Sequence, residues 1–255
     1  LFYKLLIISF LCDNEFEAGC FRYKPNELLS IFLVILATLP GLAICFLIYK
    51  LDKYEQEPLW ALLYSFVLGA LATIPAISIQ LWAGSYEHFN SKIAAITFVS
   101  SFGVVAASEE IAKCAVLLFG IYPRRFFNEP FDGIVYAVLV AMGFATVENI
   151  LYAYKFGINT TLVRAFTAVP AHFVFAIVQG YFIGLAKYNP VRRMVLILQG
   201  LGLAILMHGI YDFLILQELA AWLSVLGSVS VYVCLYFCGD LVRKHLESSP
   251  FKPSL

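Results

Sequence analysis

Within stretches that are otherwise apolar, the chain carries Glu109, Glu110 and Lys113 in the run Ser-Glu-Glu-Ile-Ala-Lys. It then carries Glu148 with Asn149, then His172, and finally His208 with Asp212. On a helix, Lys113 lies four residues from Glu109 and three from Glu110, so it can reach either carboxylate. Pairing one glutamate with Lys113 leaves the other for chemistry, and a carboxylate in such a place suits general-base work near neutral pH. Phe144 and Glu148 are also four apart, as are His208 and Asp212; in the second pair the carboxylate can fix the imidazole tautomer. Glutamate and histidine around a water make a peptide-bond hydrolysis kit. The carboxylate takes a proton from water while the imidazoles polarise the carbonyl or hold a metal.

The same residue types could ligate zinc or could act without metal. Other hydrolytic designs are missing from the sequence. It has no His-Glu-x-x-His, no Gly-x-Ser-x-Gly, and no paired aspartates within its apolar runs.

The elements that must carry these residues are membrane spans. Of the 255 residues, 62% are hydrophobic and 13% charged, against about 25% charged in an ordinary soluble domain. The excess apolar surface must face lipid. The net charge is zero and no basic stripe is present, so nothing points to nucleic acid. A spanning helix needs about 20 mostly apolar residues. That rule predicts an all-α polytopic bundle of seven to eight spans, here 28–50, 58–82, 93–122, 131–156, 161–187, 194–217 and 219–239. An N-terminal tail (1–27), the bundle (28–239) and a C-terminal tail (240–255) follow as the domain division. The loops expected on one side hold ten Lys and Arg residues and those on the other hold five. This asymmetry predicts a multi-pass protein of the cell membrane with its N-terminus outside and its C-terminus in the cytoplasm.

An ionisable group at the bilayer centre costs about 2.5–3.5 kcal/mol on insertion scales, so each of these needs a reason. A Glu-Lys pair alone reads equally well as a clamp between helices, and a single histidine as a satisfied core residue. Together, on four successive spans, the groups read as a hydrated cavity. Pro170, two residues before His172, is expected to kink its helix and admit water, with Gly143 and Gly209 beside Glu148 and His208. Arg164, near a helix end, reads as a snorkelling structural residue. His88 and His245 read as solvated loop or tail residues. Cys45, Cys114, Cys234 and Cys238 read as small hydrophobes, while Cys12 and Cys20 in the N-terminal tail could pair outside the cytoplasm.

Glu109-Glu110-x-x-Lys113, Phe144-x-x-x-Glu148 and His208-x-x-x-Asp212, in this order on successive spans, resemble the signature of the PrsW family of intramembrane proteases. Leu39-Pro40-Gly41, Asp52-Lys53-Tyr54-Glu55, Glu57-Pro58-Leu59-Trp60 and Phe131-Asp132-Gly133 extend the similarity, as do Glu148-Asn149 and the stretch from Arg164 to His172. The resemblance covers residues 28–239. It implies an intramembrane endopeptidase, described as a metalloprotease, that cleaves a single-span regulatory membrane protein such as an anti-sigma factor. Glu109, Glu110, Glu148, His172, His208 and Asp212 would then be catalytic, with Lys113 and Asn149 supporting them and Glu148, His172 and His208 as the candidate zinc ligands.

The family is distantly related to type II CAAX prenyl proteases. Lys113, Glu148 and Asp212 depart from that group's motifs, so cleavage of prenylated proteins is not expected. The competing readings are a proton-coupled transporter using the same Glu and His residues, and a non-catalytic membrane scaffold. An inverted repeat would favour the first, and none is evident; the desolvation cost of the charges argues against the second.

Overall fold

The computed structural model describes residues 27–86 and 93–253. Every regular element in them is helical. Helix α1 is Glu27–Leu51 and α2 is Leu59–Gly84. Residues 94–121 form one helical run, α3, made of Ala94–Val99, a π-helical Ser100–Ala106, an α-helical Ala107–Val116 and a π-helical Leu117–Ile121. Then follow α4, Asp132–Phe166, α5, Ala168–Tyr188, α6, Arg193–Leu216, and α7, Ala221–Glu247. Five helical stretches are long and apolar enough to cross a membrane, one of them the continuous stretch Asp132–Tyr188 that contains both α4 and α5. The run 94–121 is not among them, since its two π-helical segments divide it into four pieces, the longest of 10 residues. The helical membrane bundle expected from composition is thus present.

Burial separates the inside of the bundle from its rim. The most apolar part of the stretch 132–188 is 78% buried, whereas that of α7 is 17% buried. α4 is therefore the central helix, with α1, α2 and α5 packed around it and α6 against α5. The outer helices turn residues such as Leu28, Ile74, Phe119 and Tyr236 outward, as apolar surface solvated by lipid requires. Without a hydrophobic drive between helices in lipid, association depends on close backbone approach at small residues. A Cβ on Gly143 would lie 2.0 Å from the Phe66 carbonyl oxygen, and one on Gly69 1.9 Å from that of Val140, so α2 and α4 meet backbone to backbone.

The chain reverses inside α4. Sixteen helical residues would separate Glu148 from Arg164 by about 24 Å, yet their side chains are 2.9 Å apart. The turn is at Gly157, with φ of 77°, a conformation that glycine adopts without steric cost. The Thr161 hydroxyl donates to the Gly157 carbonyl at 3.0 Å, satisfying that carbonyl at the start of the returning leg. The break expected between residues 156 and 161 is therefore present as a turn, and the returning leg bends once more at Thr167 before α5. Pro170 does not kink a helix as expected. It stands in the first turn of α5, where its missing N–H removes no helical hydrogen bond.

The loops 52–58 and 122–131 and the segment after α7 meet at one end of the bundle. Asn128 Nδ2 donates to Glu55 Oε1 at 3.2 Å, and Ser249 donates to Glu129. Lys187, at the end of α5, donates to the Tyr122 carbonyl at that same end. His245 is also here and is a correction to the expectation of a solvated tail residue. It is buried, with Nε2 3.0 Å from the Tyr181 carbonyl oxygen and its ring edge-on to Tyr181. Cys45, Cys114, Cys234 and Cys238 are free thiols. The proposed partners Cys12 and Cys20, and His88, lie outside the described residues.

Candidate active site

Between its two π-helical segments, α3 presents a single α-helical piece, 107–116, and that piece holds Glu109, Glu110 and Lys113, all buried. Wide π turns interrupt regular helix mostly where function demands a particular side-chain direction. Lys113 Nζ is 2.6 Å from Glu110 Oε1 and 4.0 Å from Glu109 Oε2. Its ammonium also lies 4.7 Å from the centre of the Phe144 ring, on whose face a cation is favoured. Of the two carboxylates, Glu110 is thus the one locked by lysine. Its Oε1 also lies 2.8 Å from His208 Nδ1.

Glu109 is held differently. Gln80 of α2 donates to Glu109 Oε1 at 3.1 Å, while Glu109 Oε2 is buried and has no hydrogen-bond partner. That bare oxygen stands 3.9 Å from His208 Nε2. The same His208 nitrogen is 3.4 Å from Asp212 Oδ2, so His208 is flanked by carboxylates on both ring nitrogens. The ring of Phe175 stacks on that of His208 with centroids 5.0 Å apart, and the His172 ring meets it edge-on at 5.3 Å.

His172, one turn into α5, bridges the two halves of the site. Its Nε2 is 3.0 Å from Glu148 Oε2, and its Nδ1 is 3.4 Å from Lys113 Nζ. Glu148 Oε2 also meets Arg164, whose Nε donates to Asn149 Oδ1 at 2.8 Å. Arg164 overlies the Tyr152 ring at 3.8 Å and is largely buried, so the reading of it as a snorkelling residue is corrected. The reversal at Gly157 is what carries it inward to the site.

The residues expected from the sequence thus converge: Glu109, Glu148, His172, His208 and Asp212 line one cavity of about 490 Å³, and Glu110 stands directly behind. The walls are otherwise mainly apolar, with Ile77, Val105, Leu151 and Val225 among them. Sequence reasoning missed Gln80, Arg164 and Phe175. Gln80 was detectable as the one amide in the apolar run of α2; nothing in the sequence singled out Phe175.

Three donors fit a metal. One atom from each of Glu109, His172 and His208 lies within 4.8 Å of the other two, and Glu109 Oε2 is a buried carboxylate oxygen with nothing bound to it. Two imidazoles and one carboxylate with an open position make the donor set of a catalytic zinc site. Glu148 is not in this set; its carboxylate is turned to Arg164 and His172.

Residues 57–238 match the model of a family described as PrsW family intramembrane metalloprotease. The chain is 37% identical over 179 residues to Protease PrsW of Geobacillus kaustophilus (strain HTA426), covering 70% of this chain and 77% of that protein. It is 34% identical over 195 residues to Protease PrsW of Bacillus subtilis (strain 168), covering 76% and 87%. With Protease PrsW of Clostridioides difficile (strain 630), identity is 32% over 225 residues, covering 85% and 92%. No solved structure matches the chain significantly. A helical membrane bundle enclosing buried Glu, His and Asp side chains, and a match over most of its length, lead to one assignment: the chain belongs to the PrsW family of intramembrane proteases.

Proposed function

We propose that the cavity is the catalytic centre of an intramembrane endopeptidase that cleaves a single-span regulatory membrane protein, such as an anti-sigma factor. The observation that carries this reading is the buried, donor-free Oε2 of Glu109 at the cavity wall, 3.9 Å from His208 Nε2. A water held between these groups and His172 gives up a proton to Glu109 as it attacks the substrate carbonyl. His208 stabilises the negative charge that develops on the carbonyl oxygen, and Asp212 and Glu110 fix its ring from either side. Glu110 does not take the proton in this scheme, because Lys113 and His208 occupy it; it positions both. Glu148, anchored by Arg164, orients His172. The apolar walls exclude bulk water, which strengthens each of these interactions.

The donor set suits zinc, and Glu109, His172 and His208 would hold it. When bound, the ion would lower the pKa of the attacking water, whereas without metal Glu109 removes the water's proton as a base. The lysine- and arginine-rich loops support a cytoplasmic C-terminus with the N-terminus outside, and the family reading implies cleavage near the extracytoplasmic side of the substrate.

The test is cleavage of a co-reconstituted single-span substrate by the purified protein. Glu109→Gln and His208→Ala should each abolish product while the protein still inserts in the membrane. Full cleavage by both variants would overturn the role assignment. Metal content of the wild type beside His172→Ala and His208→Ala separates the two modes of water activation: stoichiometric zinc lost in both variants establishes the metal form.

A further inference from the structure

A second group of buried carboxylates lies at the loop end of the bundle, remote from the cavity. Asp132 is sixteen residues before Glu148 on α4, about 24 Å along the helix. Asp52 and Glu57 come from the loop between α1 and α2, Glu129 from the loop after α3, and Asp132 from the start of α4; all four are at most 3% exposed. Half-buried Glu55 completes the group at its outer edge.

Each carboxylate has one oxygen satisfied by the chain. Asp52 Oδ2 accepts from the Glu57 amide at 3.3 Å, and Asp132 Oδ2 from the amides of Asn128 and Glu129 at 2.5 and 2.8 Å. Glu55 Oε1 accepts from Asn128 Nδ2, Glu57 Oε2 from the Tyr136 hydroxyl, and Glu129 Oε2 from Ser249. The other oxygen of each is buried and accepts no N–H or hydroxyl: Asp52 Oδ1, Glu55 Oε2, Glu57 Oε1, Glu129 Oε1 and Asp132 Oδ1, although the Glu57 and Asp132 carboxyls can share a proton with each other. Asn128 Oδ1, in the same loop, is also without a donor. No ion pair among the described residues involves any of the five.

Burial of uncompensated carboxylates is among the costliest arrangements in a folded protein. Burial, then repulsion from Glu129 and Asp132, pushes Asp52 up to about 7, and burial likewise raises Glu57 to about 7. Glu55, Glu57 and Asp132 converge, one oxygen of each lying within 4.8 Å of the other two. Carboxylate and amide oxygens, with no nitrogen or sulfur donor in the group, select a hard divalent cation over zinc.

We propose that Glu55, Glu57 and Asp132 form a binding site for a hard divalent cation, Mg²⁺ or Ca²⁺, that pins the two loops to the start of α4. The bare oxygens of Asp52, Glu129 and Asn128 complete its surroundings, directly or through water. The ion enters past half-buried Glu55. It is distinct from any metal of the cavity, whose donors include two histidines, and the inference does not depend on the catalytic roles proposed above.

Thermal denaturation of the detergent-purified full chain, stripped with EDTA and titrated separately with Mg²⁺ and Ca²⁺, tests the site. A saturable rise in Tm of several degrees is expected in the wild type and equally in His208→Ala, which lacks a cavity ligand. The ion with the lower half-saturation concentration is the one the site selects. Glu57→Gln should lose the response. Should that variant fail to fold, Glu55→Gln, at the half-buried edge, should lose it instead. No saturable rise with either ion, or an unchanged rise in Glu55→Gln, would overturn the proposal. A rise lost in His208→Ala would also overturn it, by assigning the response to the cavity.

Discussion

At the centre of the bundle, Glu110 faces Lys113 at 2.6 Å and Glu148 faces Arg164 at 2.9 Å. At the loop end, Asp52, Glu57, Glu129 and Asp132 are as deeply buried and face only hydroxyls and backbone amides. Both regions concentrate carboxylates in low dielectric, but only in the first do a lysine and an arginine contact them; Lys187, the cation near Asp132 at the loop end, donates to the Tyr122 carbonyl instead. In lipid no dissociable ion is freely at hand, so a permanent lysine or arginine is the dependable partner for a carboxylate needed at a fixed place. Beside the aqueous phase a soluble cation can serve, and the loops can be gathered by something that also leaves. On the roles proposed above, the contrast separates a site organised for chemistry from one organised for holding loops together.

The sharpest way to break the comparison is to remove the chemistry from the centre. Glu109→Gln and His208→Ala should each lower cleavage by about 10²–10⁴-fold, the range for losing a general acid or base, measured by product formation at matched membrane protein levels. Next, Lys113→Met would make the centre resemble the loop end, leaving buried carboxylates uncompensated. Loss of one partner of a buried pair costs about 3–5 kcal/mol, visible as a lower denaturation midpoint in detergent. The double variant Lys113→Met/Glu110→Gln should recover part of that loss, because the stranded charge is gone.

Arg164→Gln should have a smaller effect on activity, about 10–100-fold as for other residues that orient a ligand. Glu148 loses its ion-pair partner and Asn149 its donor, and a kinetic assay on the single-span substrate reads the result. The smallest change makes the loop end resemble the centre. Glu55→Lys supplies a covalent cation at the accessible edge and should raise Tm in EDTA by about 2–4 °C, roughly the effect of 1 kcal/mol in a chain of this size. It should also remove the response to added divalent ions.

Much of this was legible beforehand because lipid imposes severe rules on sequence. An apolar run of spanning length has few alternatives to a helix, and a glutamate or histidine inside one is conspicuous. Glu109, Glu148, His172, His208 and Asp212 could be named as site residues for that reason, and they line one cavity. Arg164 was misjudged because position along a helix shows nothing about a reversal nine residues past Glu148; near a helix end, a long basic side chain reads as surface-seeking. His245 was misjudged in the same way, its cover being supplied by Tyr181, 64 residues earlier. The acids of the loop end were visible only as pieces of a motif, since charges between spans are ordinarily solvated.

The sequence by itself determined that the chain is a helical membrane protein, which ionisable residues stand inside its apolar runs, and which pairs on one helix can touch. These follow from composition and from the fixed rise of a helix, both local quantities. Only the tertiary structure decided that Glu110 rather than Glu109 takes Lys113 as its close partner, and that Gly157 brings Arg164 back to Glu148. It alone decided that Glu55, Glu57 and Asp132 from two separate segments come together, one oxygen of each within 4.8 Å of the other two. Those are relations between elements, fixed by how closely helix backbones approach at glycines such as Gly69 and Gly143, and no pattern along a single strand of residues encodes the distance between two helices.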